Sequence, residues 1–321
     1  MTTPRLSPAL LASLAIAPLA AAQPALYSNG RQGPESPGLA TGVVAGDGTP
    51  APAGSAWSEV QRSGLFEANG VGGFAAQAAP DGSPGAIRLA DDFTVASPLG
   101  WRVRAAAFFA YTPGATAAPF GPMNVRVWSG RPGDAGSQVV WESAGAITGT
   151  SVFAGLHRAF STTVAPMTPP DATRPIWRTT VALGPADGLL LAPGTYWIDW
   201  RYEGEALAFT PPVTVVGART VTGANAIQLR GVPGLPASWA PVIDTGKPSA
   251  AVDVAQDLPF LLLGVRACQA DLNDDGELTF DDIQLFVGAY NTSDPRADLN
   301  EDGELTFDDV QLFIARYNAG C

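Results

Sequence analysis

Apolar and polar positions alternate along this chain with two different periods, and the change from one to the other divides it. Over 195–202, Tyr196, Ile198, Trp200 and Tyr202 fall on one face and Trp197, Asp199 and Arg201 on the other, the two-residue period of a strand. Met123–Trp128 alternates in the same way. Further apolar or β-branched runs at 87–95, 101–111, 139–142, 176–183, 213–216, 226–229 and 259–265 extend the series, with Gly-, Pro- and Asp-rich turns such as 129–136 and 192–194 between them. From residue 280 the period becomes helical. Phe280, Ile283, Phe286, Val287 and Tyr290, then Phe307, Val310, Phe313, Ile314 and Tyr317, form apolar stripes that can pack on one another.

Many short strands without a βαβ rhythm predict a mainly β fold, a jelly-roll-like antiparallel β-sandwich over 87–266, followed by a small α-helical module over 267–321. Residues 23–86, with Gly and Pro scattered through 33–54, read as a loosely structured N-terminal segment in which short strands such as 24–28 are not fixed by the sequence. Residues 1–22 read as an export signal: Arg5, an apolar run over 10–19 and the small residues Ala20, Ala21 and Ala22 before Gln23. That run is shorter than the roughly 20 residues a membrane span needs. The expectation is a secreted or extracellular-surface protein, cleaved near Ala22, with no transmembrane segment in the mature chain.

Composition sharpens the division. The 321 residues include 36 Gly and 29 Pro, which favours strands and turns over long helices. Net charge is −12, yet 268–321 alone holds 13 acids against 2 arginines, so −11 belongs to the tail and −1 to everything before it. No basic patch suited to nucleic acid or anionic membrane is present.

The tail's acids are ordered by a repeat. DLNDDGELTFDDIQLF, starting at Asp271, recurs as DLNEDGELTFDDVQLF, starting at Asp298. Asp271, Asn273 and Asp275 place oxygens at loop positions 1, 3 and 5, Thr279 a hydroxyl at 9 and Asp282 a carboxylate at 12. Asp298, Asn300, Asp302, Thr306 and Asp309 repeat the set. Glu277 and Glu304, at position 7, offer their backbone carbonyls. A hard cation takes six to eight oxygens at about 2.3–2.6 Å, and the tight curl this demands is permitted by Gly276 and Gly303 at position 6. Two Ca²⁺ ions are therefore expected. Aspartate at position 12 is shorter than the usual glutamate, which draws the exit helix towards the ion.

Each loop is followed by a helix but not preceded by one: 267–270 is too short, and the copies begin only 27 residues apart, at 271 and 298. In this the tail resembles a type I dockerin, and with Cys268 before the first loop and a terminal Cys321 it resembles the GC-type dockerin-like tails of secreted planctomycete proteins. The resemblance covers 268–321 and implies a cohesin-like or other surface receptor as partner. It assigns partner choice to loop positions 10 and 11, here Phe280 with Asp281 and Phe307 with Asp308, where cellulosomal dockerins often carry a small hydroxyl pair. Cys268 and Cys321, the only cysteines, bracket the module; a disulfide between them is favoured, with free thiols or attachment through Cys321 as alternatives.

The sandwich offers less chemistry. LADDFTV, MNVRVWSG, TRPIW, PGTYWIDW and LPFLLLG resemble a sandwich domain of unassigned function in exported bacterial surface proteins, which implies no activity. The single histidine, His157, excludes a His-rich zinc site and has no nucleophile-elbow motif beside it. Asp199 and Glu203 share a strand face but would lie about 13 Å apart at about 3.3 Å per residue, beyond the roughly 5–9.5 Å of glycosidase pairs; Glu203 and Glu205 straddle a turning Gly204. Asp91 and Asp92 read as structural. Of the eight tryptophans, Trp128, Trp200 and Trp239 are expected in the core, while Trp177 and Trp197 are candidates for an exposed platform on which a carbohydrate could stack. The expected function is a Ca²⁺-dependent tail that docks or sorts a non-catalytic sandwich; the alternative is a carbohydrate-binding module or a glycoside hydrolase component of polysaccharide breakdown.

Overall fold

The computed structural model of the chain describes residues 25–30, 38–64, 66–77, 87–164, 167–204, 207–231, 237–300 and 302–320; the predicted leader lies outside them. The fold is mainly β. One sheet runs in the order Ala25–Ser28, Phe260–Arg266, Trp101–Tyr111, Pro175–Ala182, Thr150–Ala159 and Ala56–Glu59. The other runs Ser238–Pro241, Ile227–Arg230, Arg88–Val95, Gly194–Tyr202, Met123–Trp128 and Val139–Glu142. Along these two paths every pairing is antiparallel except that of Ala56–Glu59 with Thr150–Ala159, which is parallel.

The inner faces share one core, in which Phe93, Ile198 and Trp200 of the second sheet meet Phe108, Phe260 and Leu262 of the first. Trp200 is fully buried and stacks on Phe108 with ring centroids 4.7 Å apart. The alternation seen in the sequence sets this face. Its opposite face is not open to water, however, because Trp197 and Asp199 are also buried. Asp199 pairs with Arg88 and accepts the Trp128 indole N–H, and Arg88 donates on to Asn124 Oδ1 at 2.6 Å. Burial pushes the Asp199 carboxyl up and the Arg88 guanidinium down, and their mutual attraction opposes both. Around them Ala90, Trp197 and Ile227 form a small second core, flanked by the half-buried Trp128 and Trp239.

The N-terminal segment departs from its expected looseness. Leu39 is fully buried against Phe109, Leu156, Ile176 and Leu261 on the outer face of the first sheet. Ala56–Glu59 forms that sheet's edge, with Trp57 only 2% exposed. Buried Arg158 is held by the Gly72 carbonyl at 2.7 Å and Ser58 Oγ at 3.0 Å, and burial lowers its pKa to about 10. Asp244 accepts the N–H groups of Gly70 and Val71, both at 2.9 Å. Isolated anchors separated by turns hold this segment down, so no periodicity announces it.

Two further differences have local causes. Thr150–Ala159, not expected, is interrupted by a bulge between Phe153 and Leu156 where Gly155 takes φ 72°, which destroys the alternation. The run at 213–216 forms no strand; Val215 makes one isolated bridge, to Ala218.

The tail carries two helices, α1 (Phe280–Asn291) and α2 (Phe307–Ala319). Phe286 and Phe313 stack between them at 4.1 Å and 6°. Cys268, Ala270, Leu272, Ala289, Ala297 and Leu299 complete a small core against which Leu99 of the sandwich also packs.

Candidate functional site

Each loop of the tail is shaped by its own side chains. In the first, Asp271 Oδ2 accepts the Gly276 N–H at 2.9 Å, Asn273 Oδ1 that of Asp275 at 3.1 Å, and Asp275 Oδ1 that of Glu277 at 2.9 Å. In the second, Asp298 takes Gly303 at 2.9 Å, Asn300 takes Asp302 at 3.0 Å and Asp302 takes Glu304 at 2.8 Å. Gly276 and Gly303, at φ 91° and 85°, occupy the left-handed region that lets the chain turn this tightly. Ordinary side chains resist that region, so the tight turn after position 5 relies on glycine at position 6.

Position 12 closes each loop. Asp282 accepts the N–H of Thr279 at 2.8 Å through one oxygen and that of Leu272 at 2.8 Å through the other; Asp309 does the same with Thr306 and Leu299, each at 2.9 Å. Both aspartates are fully buried. Thr279 and Thr306 are the N-caps, accepting from Asp281 and Asp308, so each loop ends in a capping box. Glu277 and Glu304 point their carboxylates to solvent.

Two observations bear on a metal. Among the described residues no group of three or more His, Cys, Asp or Glu side chains is gathered as a metal site. On the other hand, Asp298 Oδ1 is buried without a hydrogen-bond partner, an orphan acceptor that a cation would satisfy. Carboxylates alone would not make a Ca²⁺ centre on this pattern, since amide, hydroxyl and backbone oxygens would fill half of its positions. Every donor is oxygen and each carboxylate oxygen has a second lone pair, which suits Ca²⁺ and not a thiolate- or imidazole-seeking metal.

The residues assigned to partner choice are at the surface. Phe280 and Phe307 are 65% and 64% exposed, with Asp281 and Asp308 exposed beside them. Both phenylalanines therefore leave the stripe that the helical period predicts for packing. Between α1 and α2 a groove of about 350 Å³ is lined by Ile283, Val287, Tyr290, Val310, Ile314 and Tyr317. Cys268 is disulfide-bonded; Cys321, the one other cysteine in the sequence, lies outside the described residues.

Among the described residues the sandwich gathers no comparable set. His157 Nδ1 lies 3.1 Å from the Ala172 carbonyl, packs by Trp57 and Phe153, and is lowered in pKa by burial. Asp199 faces Arg88, and Glu203 pairs with Arg201 at 2.7 Å; Glu205 is outside the described residues. Asp91, fully buried, accepts from Asn29 Nδ2 and the Leu258 N–H, both at 2.7 Å, a tie between distant segments. The expected aromatic platform is not formed by Trp197, which is 5% exposed beneath the Arg131 guanidinium, 5.8 Å from the ring. Trp177 is half-buried edge-on to Phe153, and Trp128 and Trp239 are half-buried instead of in the main core. Among the described residues no helix is long and apolar enough to cross a membrane. Compared with known proteins, the chain matches no family model, no curated protein and no solved structure.

Proposed function

We propose that the chain is a secreted or cell-surface protein in which a jelly-roll-like sandwich without catalytic function is carried by a dockerin-like tail, and that the tail holds one Ca²⁺ in each loop and docks on a cohesin-like or other surface receptor. The observation that carries this reading is the pair of in-phase oxygen loops, both curled about a position-6 glycine. The buried, partnerless Asp298 Oδ1 supports it.

Bound Ca²⁺ would neutralise acids and join positions 1, 3, 5, 7 and 12 of each loop. Asp271, Asn273 and Asp275, with their counterparts Asp298, Asn300 and Asp302, supply side-chain oxygens, Glu277 and Glu304 their carbonyls. Asp282 and Asp309 tie the loop to the first turn of each helix, so ion binding orders that turn and the Phe280–Asp281 and Phe307–Asp308 pairs it presents. With 13 acids in the tail, binding free energy becomes folding free energy.

Calorimetric titration of Ca²⁺ into the mature chain tests this. Two ions should bind at micromolar affinity or tighter, on the order of 10⁻⁶ M, and Asp271→Ala and Asp298→Ala should each remove one. Absence of binding heat, with a melting profile indifferent to chelator, would end the proposal.

A further inference from the structure

The two twelve-residue loops differ at a single position, the fourth: Asp274 in the first and Glu301 in the second. That one difference falls where the first loop touches the sandwich. Asp274, at φ 60°, accepts from Ser97 Oγ through Oδ1 at 2.7 Å, and Ser97 is itself 1% exposed in the turn between the Arg88–Val95 and Trp101–Tyr111 strands. Pro98 of the same turn lies against Gly276, so close that a Cβ there would meet its ring at 3.3 Å. Leu99 packs into the tail's core, and the Ala267 N–H donates to the Gly100 carbonyl at 2.9 Å. From the other side Arg266, the last residue of Phe260–Arg266, donates to the carbonyls of Asp271 and Leu272 at 3.1 and 3.3 Å. The second loop has no such neighbour at its glycine: a Cβ on Gly303 would meet nothing within 4 Å.

We infer that the two loops are inequivalent by design: the first is part of the joint with the sandwich, so that ion uptake there and seating of the tail on the 97–100 turn stabilise each other, while the second takes its ion independently of the sandwich. The inference rests on the Ca²⁺ reading above. Its physical basis is that Asp271, Asp274 and Gly276 lie within six residues of one tightly curled chain. Fixing that curl with an ion fixes the surface that Ser97 and Pro98 meet, and coupling of this kind is reciprocal. Aspartate suits position 4 of the first loop because its short side chain tolerates the left-handed backbone and reaches Ser97. Glutamate is longer by a methylene.

The mature chain tests it by two readouts: stepwise Ca²⁺ affinities from calorimetry, and amide hydrogen exchange over 96–101. Ser97→Ala should weaken one of the two steps about five-fold, the worth of one hydrogen bond, and leave the other unchanged. Asp274→Glu, which makes the loops identical, should bring the two affinities together. Exchange over 96–101 should rise on chelation and in Asp271→Ala but not in Asp298→Ala. If both ions bind but Ser97→Ala weakens the steps equally, or if exchange over 96–101 ignores the ion, the coupling is overturned and the Ca²⁺ reading stands. If neither loop takes an ion, both fall.

Discussion

Residues 268–321 carry −11 of the chain's −12 charge, whereas everything before them is close to neutral, with 17 acids against 16 bases. The neutral part holds itself together by burial: two sheets face each other across Phe93, Phe108, Trp200 and Phe260, and a second small core covers the outer side of one of them. The acidic tail has only a short apolar list, centred on the Phe286–Phe313 stack, and its loops turn backbone N–H groups inward onto carboxylates. A unit of this size and charge needs staples, and the disulfide at Cys268 and the oxygen loops fit that need. The contrast teaches that the two regions should respond to different insults.

The largest separation is expected from the sandwich core. Trp200→Ala removes a fully buried ring stacked on Phe108, a loss of about 3–5 kcal/mol. Near-ultraviolet dichroism and urea melts should show the sandwich failing. Ca²⁺ uptake by the second loop should persist, and its loss would mean that the tail depends on the sandwich throughout. Cys268→Ser is the converse, at about 4 kcal/mol on the chain-entropy model. Helical dichroism should melt early, with the sandwich transition in place. A sandwich that melts with it would erase the distinction between the regions.

A pH series sharpens the comparison further. Burial raises the Asp91 carboxyl well above its ordinary range, with Asp257 nearby adding to the effect, while the Leu258 and Asp92 N–H groups oppose it. A raised folded value means that the folded state keeps a proton the unfolded chain releases. The resulting stability is present in full below the ordinary aspartate pKa near 3.8 and is lost as pH rises through the folded value. Denaturant melts of the wild type and Asp91→Asn over a pH series should therefore differ in slope, because only the wild type carries this carboxyl. Between the ordinary and the raised value the wild type should lose sandwich stability with rising pH more steeply than the variant, by up to about 1.4 kcal/mol per unit, since the raised Asp199 and Asp257 carboxyls remain in both.

What the sequence made legible follows the same division. Regular periods were readable in part: the inner face of 195–202 came through because burial there repeats every two residues, and of the helical stripes Phe286 and Phe313 came through while Phe280 and Phe307 did not. The Thr150–Ala159 strand did not, since its bulge at Gly155 shifts the register midway. Nor did the anchoring of residues 38–77, which depends on single residues such as Leu39 and Trp57 meeting partners far along the chain. Trp197 misled because alternation assigns a face, not what lies over it; the Arg131 loop that covers it is separated by about seventy residues. At the loops, the repeat was legible as two glycine turns, at Gly276 and Gly303, each followed by a helix. The Ser97–Asp274 contact was invisible, being a relation between a turn and a loop 177 residues apart.

The smallest expected effect is the most discriminating, because it makes one substitution in two nearly identical settings. Thr279 and Thr306 cap α1 and α2 with backbone angles within a few degrees of each other, φ −126° and −124°, and the same 3.3 Å bond to the N–H two residues on. Local geometry therefore predicts the same loss for Thr279→Ala and Thr306→Ala, about 1 kcal/mol each, read as faster hydrogen exchange along the helix concerned. Any difference between the two must come from the few positions at which the repeats differ or from outside them. If the first loop is built into the joint, loosening its exit should also raise exchange at 96–101, whereas loosening the second should leave that turn untouched. Identical behaviour at both the helix and the turn would show that the repeats are equivalent in context as well as in sequence, and the single change at position 4 would then have no structural consequence.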